Sequence, residues 1–90
     1  MPNGKFLTNH ALVLLRVAEN PDSRIRDIAD AVGITERAAH RIVSDLIEEG
    51  CIARERRGRR NHYRVNRSVR IRHPLTRDYS IGQLLSLLVR

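Results

Sequence analysis

Two amphipathic helices separated only by Gly33, Ile34 and Thr35 constrain this chain more than any other feature of its 90 residues. Ile25, Ile28, Ala29 and Val32 recur at i, i+3, i+4 and i+7, the spacing of one helical face. Gly33 can take the positive φ that stops such a helix, and Thr35 offers a hydroxyl that caps the next. Ala39, Ile42, Val43, Leu46 and Ile47 then form a second apolar stripe, which Gly50 ends. Only Ile34 lies between the stop and the new cap, so the two helices are joined almost directly.

With that stripe turned inward, Glu36, Arg37, His40, Arg41, Ser44 and Glu48 point to solvent or to a ligand. Two helices joined through a glycine and a small polar cap, the second with a polar and partly basic face, form the helix-turn-helix pattern. The other elements frame it. Thr8 caps a first helix over 8–20, stopped by Asn20 and Pro21, and its five consecutive apolar residues, Ala11 to Leu15, predict burial on two sides. Asp22 or Ser23 caps the second helix, over 24–32, and the third covers 35–49. After Gly50 the period changes: "CIARER" and "NHYRVN" flank "RGRR", Tyr63 and Val65 alternate with polar residues, and Gly58 sits where a tight turn needs it. A hairpin over 51–66 is the expectation. "RSVRIRHPL" continues the alternation up to Pro74, either as a short third strand or as an extended connection. Ser80 and Gln83 form a capping box for a last helix over 80–89, so apolar that it predicts a subunit contact. Leu12, Leu15, Ile81, Leu84, Leu85 and Leu88 are its candidate contact residues.

The length predicts one domain, residues 1–90, and the 3% aromatic content favours helices packed on helices. The expected class is therefore α+β, mainly α: a three-helix core, a hairpin of two or three strands and a C-terminal dimerisation helix. A single cysteine, Cys51, and four histidines without ligand-like spacing predict neither a disulfide nor a metal site, and no cofactor. Apolar stretches such as Ala11 to Leu15 and Leu84 to Val89 are too short to cross a bilayer, and no leader pattern opens the chain, so a cytoplasmic location is expected. Charge is the more telling property. Residues 1–53 hold six basic and eight acidic residues, whereas residues 54–72 hold nine arginines and one glutamate. The excess behind the net +7 is thus an electrostatic footprint on one part of the fold.

The order helix, helix, Gly-Ile-Thr turn, helix, glycine, arginine-tipped hairpin is that of a winged helix-turn-helix. "IRDIADAVGITERAAHRIVSDLIEEG" and "RRGRRNHYRV" resemble the small MarR-like transcriptional regulators of high-GC bacteria, as do "TNHALVLL", "RHPL" and "IGQLLSLL". The resemblance implies a third helix in the major groove of double-stranded DNA and a hairpin, the wing, on the flanking backbone or minor groove. Carried over by position, the recognition residues are Thr35, Glu36, Arg37, His40, Arg41 and Ser44, and the wing residues Arg57, Arg59, Arg60 and Asn61. The chain lacks the long flanking dimerisation helices of larger relatives, and the Cys and His constellation of metal-sensing ones, so any small-molecule effector is unknown.

Each of these roles has a plainer alternative. Arg37 and Arg41 can contact guanine or phosphate, or Arg41 can simply pair with Asp45 one turn on. Glu36 can accept from cytosine N4, or only stabilise the helix dipole. Arg24 and Arg26 open the second helix, where cations are slightly unfavourable, which points to phosphate contact. Cys51 reads as a small apolar residue and Tyr63 as a core-facing wing residue. No phosphate loop, nucleophile elbow or His and carboxylate set indicates an enzyme, and no catalytic residue is assigned. The leading expectation is a homodimeric, sequence-specific DNA-binding regulator. Two others stand beside it: an RNA- or ribosome-associated winged-helix protein, and a protein-interaction module whose wing docks on an acidic partner.

Overall fold

The structure, a computed structural model, describes residues 6–89. Helix α1 (Asn9–Glu19) starts where the Thr8 hydroxyl accepts the Ala11 N–H at 3.2 Å. Val13, Leu14 and Val17 are buried while Ala11, Leu12 and Leu15 are half-buried, so the apolar run covers more than one face. Accordingly α1 packs against α2, α3, α4 and the second wing strand.

Helix α2 (Ile25–Val32) does not take its cap from Asp22 or Ser23. Arg24 occupies the N-cap position, and the Asp27 carboxylate accepts its N–H at 3.3 Å. Ser23 is instead buried, its hydroxyl donating to the Asn20 carbonyl at 2.8 Å and accepting from Arg16 Nε at 3.2 Å. The tertiary bond to Arg16 outweighs the local one, because a buried hydroxyl must be satisfied where it lies. Gly33, at φ 84°, closes α2, and its own N–H and that of Ile34 both reach the Ala29 carbonyl.

Thr35 then caps α3 (Glu36–Glu48) by accepting the Ala38 N–H at 3.0 Å. Ala39, Ile42, Val43 and Leu46 are buried, as the periodicity predicts, and Ile47 is half-buried. Strands β1 (Ile52–Arg57) and β2 (Arg60–Val65) pair antiparallel, from Ile52 opposite Val65 to Arg57 opposite Arg60. Gly58, at φ 63°, opens the two-residue loop, and no other residue there has positive φ, the sign pattern of a type II′ turn. Ile52 and Tyr63 face inward and complete the core between α1 and the hairpin.

Residues 68–72 do not add a third strand, since the sheet has two strands and Arg70 makes only an isolated bridge to Ser80. The segment returns along the start of α4, with Ile81 N–H donating to Val69 O at 2.8 Å and Ile71 N–H to Tyr79 O at 3.0 Å. Ser80 and Gln83 form the expected capping box of α4 (Ile81–Leu88). Ile81 and Leu85 are buried in the core of their own chain, which removes them from any contact with a second subunit. The outer face of α4 carries Leu84, half-buried, and Leu87 and Leu88, both exposed. Among the described residues, four helices and a hairpin in this order make a winged helix-turn-helix.

Candidate nucleic-acid interface

Thr35, Glu36, Arg37, His40, Arg41 and Ser44 are all exposed, along the face of α3 opposite its buried stripe. The local pair between Arg41 and Asp45 does not form. Asp45 instead lies 2.9 Å from His10 Nε2, drawn toward α1. Among the described residues neither Arg37 nor Arg41 makes an ion pair. Both guanidiniums therefore keep their donors for a ligand. Glu36 is less available, because Arg26 Nε sits 3.6 Å from its carboxylate, an exposed pair of small energetic weight. That contact joins α2 to the first turn of α3 and takes Arg26 partly out of the set of uncommitted cations.

On the wing, Arg57, Arg59 and Arg60 are exposed and Asn61 is half-buried. Glu55, the acid of the hairpin, lies 3.3 Å from Arg57 and 3.8 Å from Arg64, and Arg56 Nε donates to the Gly58 carbonyl at 3.1 Å. Arg59 and Arg60 have no acidic partner among the described residues. The wing is fastened at its base. Tyr63 N–H donates to Pro21 O at 2.8 Å, and His62 Nδ1 is 2.7 Å from Asp22 Oδ1. The His62 hydrogen bond holds the Asp22 carboxyl below its ordinary range against the opposing effect of burial, with lesser help from the charges of His62, Arg57 and Arg60. Nothing in the sequence marks this pair, whose members stand 40 positions apart. The same fastening brings Arg24 to one groove with Arg59, Arg60 and Asn61.

Cys51 is buried, and burial, with the charge of Glu49, pushes its thiol up, which leaves it a small apolar residue of the core. No cluster of three or more His, Cys, Asp or Glu side chains suited to a metal occurs among the described residues, and none of their helices is long and apolar enough to cross a membrane.

A family model described as MarR family matches residues 6–61. The chain belongs to the MarR family. The matched span runs from the approach to α1 through the helix-turn-helix to the start of β2, so it contains every candidate recognition and wing residue named above. As a MarR-family protein the chain is a DNA-binding transcriptional regulator. No curated protein matches it. The rest of β2, the 66–80 connection and α4 lie beyond the MarR-family match.

Proposed function

We propose that this MarR-family protein is a cytoplasmic, homodimeric regulator that reads a specific sequence of double-stranded DNA, with α3 in the major groove and the wing on the flanking backbone or minor groove. The observation that carries the reading is the exposed face of α3, where Arg37 and Arg41 are unpaired among the described residues while Asp45 is drawn away to His10. A bidentate arginine contact to guanine O6 and N7 discriminates by about 1–3 kcal/mol. The wing arginines supply affinity that depends on salt and little on sequence.

The homodimer rests on a different surface. Tyr79 and Leu87 are exposed and, with Ile71, Thr76, Gln83 and Leu84, line an apolar groove of about 430 Å³, and Leu75 and Leu88 are exposed as well. Apolar side chains gathered in this way on a small chain mark a contact surface. Joined there, two copies would present their α3 helices to half-sites about 34 Å apart. Selection of bound sites from random duplex DNA tests the reading: a two-fold symmetric motif with that spacing is expected, and recovery of unrelated sequences would refute it.

A further inference from the structure

We propose that Arg24, Arg59 and Arg60 together form one seat for a single backbone phosphate of duplex DNA, in the groove between the start of α2 and the wing. This rests on the DNA-binding reading above and sharpens it, since two basic sets distant in sequence then hold one anion instead of two. The groove encloses about 240 Å³, with Ser23, Arg24 and Ile25 on one side and Arg59, Arg60 and Asn61 on the other. At roughly 30 Å³ per water it has room for a phosphodiester group with its bridging waters.

Three observations converge on it. First, the walls are held in place. Ser23 is buried and bonded to Asn20 and Arg16 on the helical side, while Tyr63 and His62 fasten the wing to Pro21 and Asp22. A seat built before the ligand arrives saves the ordering cost of binding.

Second, the nearby acids already have partners of their own. Glu55 serves Arg57 and Arg64, Glu36 serves Arg26, and Asp27 accepts the Arg24 backbone N–H. Asp22 lines the groove too, but its carboxylate is hydrogen-bonded to His62.

Third, Arg24, Arg59 and Arg60 make no ion pair among the described residues although they line one small space. Like charges held together repel, and an anion with several acceptor oxygens relieves that repulsion and matches the guanidinium donors. The duplex backbone is the source the fold favours, because the groove opens on the helix-turn-helix and the wing, the two parts that meet DNA in the proposed complex.

The test uses the full chain and a selected operator in which single phosphates are replaced by uncharged methylphosphonates. Wild type is compared with the R24A, R59A/R60A and R24A/R59A/R60A variants, their folding checked by circular dichroism, with Arg→Gln versions as a second set. One linkage per half-site is expected whose neutralisation weakens wild type about tenfold, weakens R24A and R59A/R60A less, and leaves the triple variant unaffected. The log–log salt slope of the triple variant should be shallower by about 0.9 per half-site, the release expected from one phosphate. A drop of about 2.7, or R24A and R59A/R60A responding to different linkages, would overturn the shared seat while leaving DNA binding intact. Failure of wild type to bind any duplex would sink both readings, and equally tight binding of an RNA stem of the same sequence would overturn the assignment to DNA.

Discussion

His62 Nδ1 lies 2.7 Å from Asp22 Oδ1, so the second wing strand is tied by its side chain to the turn between α1 and α2. The next residue of the same strand, Tyr63, donates its backbone N–H to Pro21 O at 2.8 Å. Two bonds from adjacent residues fix the angle of the wing against the helix-turn-helix, which a hairpin held only by its own ladder would leave loose.

That pair gives the fold an acid-sensitive point. The Asp22 carboxyl is held below its ordinary value of 3.8, chiefly by the His62 hydrogen bond. A depressed carboxylate contributes stability above its unfolded value, and the contribution disappears as pH falls through the folded value. Thermal melts of wild type and Asp22→Asn should therefore differ at about pH 6 and converge toward about pH 2. A difference that stays constant across this range would remove Asp22 from the acid response.

Gly82 is buried at the start of α4, and a Cβ there would meet Arg67 Cβ and the Arg67 carbonyl oxygen, both at 2.8 Å. Backbone must shift to admit it, since the Gly82 N–H also donates to that carbonyl. Gly82→Ala should cost about 1–3 kcal/mol in urea unfolding, the scale of overpacking a filled site. A variant as stable as wild type would show that α4 can move away from Arg67 freely.

Arg37→Ala and Arg41→Ala should each lower the ratio of operator to non-operator affinity, by about 1–3 kcal/mol if the contact is bidentate to a base. Wing substitutions should weaken both affinities alike and flatten the salt dependence. Competition binding at several salt concentrations separates the two patterns. Loss of affinity without loss of specificity in the α3 variants would assign those arginines to phosphates.

Because Ile81 and Leu85 belong to the core, removing α4 would unfold the chain as well as any dimer. Leu87→Glu, on the exposed face, isolates the contact. Sedimentation should show a wild-type dimer and a Leu87→Glu monomer with unchanged circular dichroism. A wild-type monomer at micromolar concentration would refute the proposed interface.

Much of the fold was legible because the signals are local. The stripes Ile25, Ile28, Ala29, Val32 and Ala39, Ile42, Val43, Leu46 lie within one or two turns of each other, so spacing alone identifies the buried face. Thr8, Thr35 and Ser80 act within three residues of themselves, and Gly58 within its own turn. The inward position of Tyr63 followed from the two-residue period of its strand.

Of the candidate interface, the polar face of α3 was equally legible, whereas the groove of Arg24 with Arg59 and Arg60 was not. Period-based reasoning says which residues share a face, and it says nothing of which distant faces meet. By itself, then, the sequence determined the helices, the caps of α1, α3 and α4, the hairpin and the exposed basic surfaces, all consequences of contacts a few residues apart. Only the tertiary structure decided that Ser23 bonds to Arg16, that Asp45 turns to His10, that 68–72 stays out of the sheet and that Ile81 and Leu85 face inward. Each of those outcomes is a competition for one partner between a local group and a distant one, and packing determines which of them comes within reach.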